Sequence, residues 1–160
     1  MTNPIDVQFR AAQRTDIPAL CNLLEALFTL ESDFQPDRDK QTRALHLLID
    51  KANDTNSKPA CLVWVAELDG HVIGMCSVQV FISTAEGGEV GLVEDVIIDA
   101  AHRNQGIGQR MLHGLEQWAR ARGLTRLQLL ADTQNSDAIA FYEKNSWSRT
   151  QLLAMRKTLN

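Results

Sequence analysis

The sequence predicts a mixed α/β (α+β) fold in which helices flank a central sheet that is mostly antiparallel. Apolar residues recur at helical spacing in four segments, and they alternate or run continuously in six others. In chain order the segments read β-α-α-β-β-β-α-β-α-β. No internal repeat, linker or change of composition divides the 160 residues. We therefore expect a single domain over residues 1–160.

The first third of the chain predicts one strand and two amphipathic helices. Residues 7–10 alternate like a short strand, and Thr15 is a suitable N-cap for a helix whose first turn tolerates Pro18. The apolar stripe of this helix consists of Leu20, Leu23, Leu24, Leu27 and Phe28. After a polar stretch at 31–40, a second helix carries the stripe Ala44, Leu45, Leu48 and Ile49.

The middle of the chain predicts strands, and the last part returns to alternating helices and strands. Residues 61–67 and 72–82 are predicted strands joined at Asp69–Gly70, a hairpin signal, and 90–98 is a third apolar strand. A helix then begins near Ile107 and ends at Gly123, a suitable C-cap. The remaining predictions are a strand at 127–130, a short helix at 136–144 and a last strand at 152–159.

Composition and charge exclude several classes of function. The 20 acidic residues exceed the 16 basic ones, and a net charge of −4 does not supply the basic face of a nucleic-acid-binding protein. A local basic patch is the alternative that this balance leaves open. The chain starts without a signal-peptide pattern, and no apolar run reaches the roughly 20 residues of a membrane-spanning helix. Cys21, Cys61 and Cys76 have neither disulfide nor zinc spacing. We expect a cytoplasmic protein with three free, buried cysteines.

The segment between the third apolar strand and the next helix has a pattern typical of anion binding. Gly106 and Gly108 let backbone N–H groups converge at the start of the helix, where the helix dipole is positive. Such a turn suits a phosphate or pyrophosphate, and Arg103 and Arg110 add positive charge. The dinucleotide fingerprint fails at Met111, and no Lys-Ser or Lys-Thr follows as in a Walker loop. The alternative is a tight turn without a ligand.

Two motifs and the order of elements carry a resemblance to a known family. The pattern Arg103-x-x-Gly106-x-Gly108 after an apolar strand resembles the acetyl-CoA-binding motif of the GNAT superfamily of N-acetyltransferases. Residues 135–142 resemble its later Asn-x-x-Ala-x-x-Phe-Tyr motif, and residues 10–16 look like its first strand and loop. One departure is Ser146–Trp147, where the family usually has Gly and an aromatic residue. The resemblance covers most of the chain and implies a single GNAT-like domain.

The resemblance implies direct transfer of an acetyl group from acetyl-CoA to a primary amine, with no covalent enzyme intermediate and no metal. It assigns the pantetheine arm to the backbone of the strand before the glycine turn. In the family this strand separates from the next one, which here is 127–131. It assigns the CoA pyrophosphate to the turn itself. The implied cofactor-binding residues are Val96, Ile97, Ile98, Arg103, Asn104, Gln105, Gly106, Ile107, Gly108, Gln109, Asn135 and Tyr142.

Two adjacent carboxylates are candidates for the proton chemistry. A free alkyl amine has a pKa of about 10.4, so a base must remove a proton before the nitrogen attacks. Glu94 lies nine positions before Arg103, where the resemblance to diamine-type members implies that role. Asp95 is predicted to point to the opposite face, because side chains alternate along a strand. The alternative for both is a hydrogen-bonded structural carboxylate.

Tyr142 is the candidate general acid. The departing thiolate needs a proton or a hydrogen bond, because free thiols have a pKa of about 8.5. Tyr142 is the only tyrosine of the chain and matches the family's acid position, seven residues after Asn135. The alternative for Tyr142 is an aromatic residue that packs on a short helix. Asn135 either binds the CoA arm or caps that helix.

The segment between the first two helices is the candidate acceptor site. It gathers five acids around Arg38, namely Glu25, Glu31, Asp33, Asp37 and Asp39. An acidic rim attracts a cationic amine such as a polyamine, an aminoglycoside or a Lys-bearing peptide, although a solvated loop is the alternative. The candidate acceptor-binding residues are Phe28, Glu31, Phe34 and Asp95.

Two functions stay open at this point. The first is an amine N-acetyltransferase, and the second is a GNAT-fold protein that binds acyl-CoA as a sensor or interaction partner with little catalysis. The presence of Tyr142 favours the enzyme, because a protein that only binds CoA could lose it. The resemblance also implies a possible homodimer, and we expect no nucleic-acid or membrane partner.

Overall fold

The computed structural model describes residues 6–31 and 33–159. The strands and helices are β1 Gln8–Ala11, α1 Ile17–Leu30, α2 Arg38–Ala52, β2 Cys61–Leu68, β3 His71–Ser83, β4 Gly88–Ile98, α3 Ile107–Arg122, β5 Leu127–Leu129 and α4 Ser136–Lys144. Single 3-10 turns at Arg14–Asp16 and Ala100–His102 precede α1 and α3. The chain divides into two compact units between Leu129 and Leu130. That residues 1–160 form a single domain stays a prediction.

The first unit is built on a five-stranded sheet with the order β1-β2-β3-β4-β5. The first three neighbouring pairs are antiparallel, and β4 pairs with β5 in parallel. β2 and β3 are joined at Asp69 and Gly70, whose φ angles of 49° and 78° make the tight hairpin turn that the sequence predicts. The predicted fold class, a mixed and mostly antiparallel sheet with flanking helices, is confirmed.

Helices α1 and α2 cover one face of the sheet, and α3 covers the other. Val65, Met75 and Ile97 are aligned across three strands and belong to the buried cluster that includes α1 and α2 residues. Trp64 points from the opposite face, because strand side chains alternate. A Cβ on Gly114 of α3 would come within 3.0 Å of Trp64 Nε1, so this glycine makes room for the indole ring.

The ends of the helices agree with those that the sequence predicts, except for the N-cap residue of α1. Asp16 rather than Thr15 precedes α1, because Thr15 lies inside the 3-10 turn, and Pro18 is in the first turn as predicted. The Asp37 side chain caps α2 by accepting a hydrogen bond from the backbone N–H of residue 40 at 3.1 Å. Gly123 ends α3 in the left-handed conformation, with φ of 85°, which confirms the predicted C-cap.

The predicted last strand at 152–159 is wrong. Within the described part of the second unit, residues 130–159 contain no strand. The large apolar side chains of the segment are all more than 80% exposed: Leu152, Leu153, Met155 and Leu159. Apolar residues form a strand only where a neighbouring strand supplies hydrogen bonds, and the described part of this unit offers none. β5 also ends one residue earlier than predicted.

The three cysteines are free and buried, as predicted. Burial raises the pKa of the Cys76 thiol to about 12. Across residues 6–31 and 33–159 there is no group of three or more His, Cys, Asp or Glu side chains that could hold a metal ion. In the same ranges, each helix is too short or too polar to cross a membrane.

Candidate active site

The turn from β4 into α3 leaves the start of the helix uncapped. Gly106 is the N-cap residue of α3, with φ of 75°, and no side chain among the described residues caps the helix. The first bond of the helix ladder runs from Arg110 N to Gly106 O at 3.1 Å, so the N–H groups of residues 107–109 precede the ladder. A Cβ on Gly106 would meet no atom within 4 Å, which leaves the space at the turn open. This geometry, with the positive end of the helix dipole, suits an anion.

Two arginines flank the turn and are held differently. Arg103 is exposed, and its Nε donates to the carbonyl of Ile98 at 2.8 Å, which fixes it at the end of β4. Arg110 Nη2 donates to the carbonyl of Val7 at 3.1 Å, and its guanidinium lies 5.1 Å from the centroid of the Phe9 ring. Arg110 therefore ties α3 to β1. That both arginines add positive charge at the start of α3 stays a prediction.

β4 continues beyond the point where β5 ends. The two strands pair at three positions, Gly91–Val93 with Leu127–Leu129. The later part of β4, at 94–98, pairs with β3 on its other side, and within the described residues β5 does not reach it. The backbone groups at the edge of a sheet are available to an extended ligand that carries amide groups. The residues predicted to bind the pantetheine arm, Val96–Ile98, lie in this part of β4.

A β-bulge changes the direction of Asp95. Met75 pairs with Ile97 and Ser77 pairs with Glu94, so a single β3 residue between the two pairs faces two β4 residues. Asp95 is one of the two β4 residues in the bulge and has φ of 54°, in the left-handed region. The bulge interrupts the regular alternation of side chains at this point of β4.

Both carboxylates of the pair contact β3 side chains of the same face. Gln79 Nε2 donates to Glu94 Oε2 at 3.3 Å, and Ser77 Oγ donates to Asp95 Oδ2 at 3.1 Å. Ser77 and Gln79 are two positions apart in β3, so their side chains share a face. Ser77 pairs with Val63, which belongs to the cluster under α1 and α2. The prediction that Asp95 points to the opposite face is therefore wrong, because the bulge intervenes.

The environment of Asp95 disfavours its charged form. Burial raises the pKa of Asp95 to about 6, the negative charge of Glu94 adds to the rise, and the Ser77 hydrogen bond opposes it. Asp95 is nevertheless partly accessible to solvent, and Glu94 is exposed. The pair thus contains one open carboxylate and one largely enclosed carboxylate, in the part of β4 that follows its pairing with β5.

The predicted acceptor residues between α1 and α2 are partly brought together. The rings of Phe28 and Phe34 are in contact, with centroids 5.5 Å apart. Phe28 packs against the core, whereas Phe34 is exposed over 46% of its surface. Glu31 directly follows α1 and is half-buried. The aromatic contact joins the end of α1 to the segment before α2.

Some of the acidic charge in this segment has a local structural use. Asp37 caps α2 and lies 3.3 Å from Lys40 Nζ. Glu25 Oε2 lies 3.9 Å from Arg38 Nη1, which also donates to Asn22 Oδ1 at 2.9 Å. The acidic rim predicted from the sequence is therefore partly neutralised by neighbouring cations.

The second unit contains α4, with Asn135 of the later motif as its N-cap residue and Tyr142 within the helix. Asn135 Oδ1 accepts a hydrogen bond from Ala138 N at 3.0 Å, so Asn135 caps the helix, which was one of its two predicted roles. The Tyr142 ring has edge contacts with Phe141 and Trp147, at centroid distances of 5.4 and 6.0 Å. The predicted packing role of Tyr142 is thus present in this unit, and its role as an acid stays a prediction.

The turn after α4 keeps its geometry although Ser146 stands where the family usually has Gly. Ser146 has φ of 68°, the left-handed conformation that ends many helices. The backbone N–H of Trp147 donates to the carbonyl of Tyr142 at 3.0 Å, which closes the end of the helix. The departure from the family pattern leaves this turn intact.

Sequence reasoning missed Ser77 and Gln79 as partners of the carboxylates. Their signal is two polar residues with the same parity inside the otherwise apolar strand β3. Ser77 is only 1% exposed, and a polar residue buried to this extent indicates a specific partner. The partner itself depends on the register between β3 and β4, which the sequence does not specify.

The described geometry agrees with the family to which the sequence is similar. The model of the Acetyltransferase (GNAT) family matches residues 18–147. The IAA acetyltransferase of Azospirillum brasilense is 28% identical over 130 residues, which cover 81% of this chain and 77% of that protein. Glucosamine 6-phosphate N-acetyltransferase 1 of Oryza sativa subsp. japonica is 39% identical over 61 residues, 36% of this chain and 37% of that protein. An uncharacterized N-acetyltransferase of Methanocaldococcus jannaschii is 25% identical over 91 residues, and the match spans 56% of this chain and 40% of that relative.

Solved structures share the fold over nearly the whole chain. A predicted acetyltransferase from Clostridium acetobutylicum with acetyl-CoA has a TM-score of 0.73 and 20% identity, covering 94% of this chain and 96% of that one. The aminoglycoside acetyltransferase meta-AAC0020 from an uncultured soil metagenomic sample, in complex with sisomicin, has a TM-score of 0.74 and 21% identity, covering 96% and 97%. Because the family model spans most of the sequence and the fold agrees, this chain belongs to the GNAT family of acetyltransferases.

Proposed function

We propose that the chain transfers an acetyl group from acetyl-CoA to a primary amine by direct attack of the amine on the thioester. The observation that carries this proposal is the uncapped start of α3, which one short connection separates from the part of β4 that β5 leaves unpaired. The helix start suits the CoA pyrophosphate, and the strand edge suits the amide groups of pantetheine. The Clostridium acetobutylicum neighbour, described with acetyl-CoA, supports the choice of donor.

The residues that would hold acetyl-CoA lie in the last part of β4 and in the turn at the start of α3. Val96–Ile98 would pair through the backbone with the pantetheine arm, and the turn at 103–109 would hold the pyrophosphate. The open space at Gly106 and the exposed Arg103 fit a doubly charged group. Asn135 and Tyr142 would also contact acetyl-CoA, a proposal that rests on the motif at 135–142.

Glu94 is our proposed proton acceptor, directly or through a water. Its carboxylate is exposed and oriented by Gln79, so an incoming ammonium can reach it. Once the nitrogen has lost one proton, its lone pair attacks the acetyl carbonyl, and the nitrogen–carbon bond forms as the carbon–sulfur bond breaks. Tyr142 would protonate the leaving thiolate. The balanced reaction yields one N-acetyl product, one CoA thiol and one released proton for each ammonium consumed.

The acceptor class follows from the chemistry and from the names of similar proteins. The rice relative is named for glucosamine 6-phosphate and the metagenomic neighbour for aminoglycosides, and both acceptors carry primary amines. In this chain Phe28, Glu31 and Phe34 would contact the acceptor from the α1–α2 connection. The contact between the two aromatic rings gives that connection an apolar surface next to acidic residues.

The second candidate function is acyl-CoA binding without useful catalysis. Both functions need the α3 turn, so CoA binding alone does not separate them. The full chain is therefore incubated with acetyl-CoA and a panel of polyamines, amino sugars, amino acids and Lys-bearing peptides, and free CoA thiol is measured. Thiol release that depends on the amine supports the enzyme. Acetyl-CoA binding without release for any member of the panel contradicts the enzyme and supports the binding protein.

A further inference from the structure

Ser77 and Asp95 form a buried contact next to Glu94, the proposed proton acceptor. Ser77 Oγ lies 3.1 Å from Asp95 Oδ2 and 3.3 Å from the carbonyl oxygen of Glu94. A hydroxyl has one proton to donate, and a charged carboxylate oxygen is a stronger acceptor than a carbonyl. Ser77 therefore donates to Asp95 Oδ2 when Asp95 is ionised, and this fixes the orientation of the carboxylate.

An ionised Asp95 lacks a cation partner among the described residues. Its pKa reflects burial, Glu94 and Ser77, and none of these supplies positive charge. Asp16 shows the opposite case in the same unit, because Arg10 donates to both of its oxygens at 2.7 and 3.0 Å and the pKa of Asp16 is lowered. A buried carboxylate without a cation is costly. A ligand that brings a positive charge would remove this cost.

We propose that Asp95 binds the ammonium group of the acceptor and thereby selects amines that arrive protonated, with Ser77 as its positioning residue. The inference rests on the proposed function and adds to it the charge state of the substrate. Three features support it: the bulge that turns Asp95 toward the face of Ser77, its second oxygen with no hydrogen bond in the described part of the chain, and its partial accessibility. The two carboxylates then have different roles, since Asp95 binds the ammonium group and Glu94 accepts its proton.

The groups that act on the charge of Asp95 come from the two strands that carry the pair. Glu94 is its neighbour in β4, and the buried thiol of Cys76 in β3 is close enough for Asp95 to raise the pKa of that thiol. Helices α1 and α3 also pack on β4, and no charged group from their described residues contributes to the pKa of Asp95. An ammonium would therefore be the first positive charge at this carboxylate.

The test compares a charged ligand with a neutral one of the same shape. The probes are the most active amine of the panel and its alcohol analogue, in which a hydroxyl replaces the ammonium and which is measured as a competitive inhibitor. Asp95→Asn should raise the KM of the amine about tenfold or more, while the inhibition constant of the alcohol changes less than about threefold. An equal loss for both probes, or an unchanged KM, would overturn the inference.

Ser77 variants keep the test decisive if Asp95→Asn does not fold. Ser77→Ala removes the hydroxyl and should raise the KM of the amine about threefold with little effect on the alcohol, whereas Ser77→Thr retains a hydroxyl and should restore the KM. Equal KM values for the Ala and Thr variants would contradict the positioning role. If the wild-type chain acetylates no amine at all, the proposed function fails; if it acetylates amines and these ratios do not change, only the role of Asp95 fails.

Discussion

Ser77 Oγ contacts Asp95 Oδ2 at 3.1 Å, at the point where β4 gains one residue relative to β3. The contact exists because Asp95 adopts a left-handed φ of 54°, which brings its carboxylate to the same face as that of Glu94. Two carboxylates with different exposure thus lie next to the β4 edge that β5 does not cover. Their different environments predict separate effects on binding, turnover and stability.

Acceptor affinity should depend on the ionisation of Asp95. Burial raises the pKa of Asp95 to about 6, so the KM of a cationic amine should be constant above about pH 7 and rise by up to about tenfold per pH unit below 6. Steady-state KM measured from about pH 5 to about pH 8.5 checks this. Because Glu94 contributes to the raised pKa, Glu94→Gln should move the inflection to lower pH while lowering kcat. An inflection that persists in Asp95→Asn contradicts the assignment.

Asp95 should reduce the stability of the fold at neutral pH. Its folded-state pKa of about 6 is above the ordinary 3.8, so the folded chain binds this proton more tightly and loses stability as pH rises from 3.8 to about 6. Asp95→Asn removes that loss and should raise the free energy of unfolding above pH 6 by up to about 3 kcal/mol. Urea denaturation of both proteins near neutral and acidic pH measures the difference, which should shrink in acid. A less stable variant at neutral pH would show that the Asp95 charge supports the fold.

A negative charge at the start of α3 should block acetyl-CoA. Gly108→Glu places a carboxylate at the second position of α3, where it competes with the pyrophosphate. The helix dipole stabilises a negative charge at this end, so the fold should remain stable. Calorimetric titration should give an acetyl-CoA affinity at least about tenfold weaker than that of the wild type. The matched control is Gly88→Glu at the opposite end of β4, where a Cβ meets no atom within 4 Å and affinity should not change. Equal affinities for the two variants would exclude the α3 turn as the phosphate site.

Removing the hydroxyl of Tyr142 should slow the reaction without weakening acetyl-CoA binding. Tyr142→Phe keeps the ring contacts with Phe141 and Trp147, so α4 should remain packed. If the hydroxyl protonates the departing thiolate, kcat should fall at least about tenfold while the acetyl-CoA dissociation constant stays within about twofold. Near-normal turnover would leave Tyr142 with the packing role alone.

The sequence predicted most of the elements because their signals are local. The stripes of α1 and α3, the Asp69–Gly70 turn and the Gly123 C-cap each depend on residues a few positions apart. The motif glycine Gly106 was placed correctly at the start of α3 for the same reason. Where the signal was local, prediction and structure agree.

The rest depends on pairing between distant parts of the chain. The apolar residues of 152–159 predict a last strand, although a strand also needs a neighbour. Asp95 was assigned to the wrong face because the bulge follows from the register of β3 against β4, which no short stretch of sequence encodes. Ser77 was missed for the same reason, and Arg110 proved to contact Val7, about a hundred positions earlier.

Acetyl transfer itself is tested most directly by the mass balance of one reaction. The wild-type chain is mixed with acetyl-CoA and a cationic primary amine from the panel, and CoA thiol and N-acetylated amine are both quantified by mass spectrometry over time. The predicted result is formation of the two products in equal amounts, at a rate that Gly108→Glu lowers at subsaturating acetyl-CoA and Gly88→Glu does not change. Thiol release without N-acetyl product, or no release with any amine of the panel, would contradict an amine N-acetyltransferase.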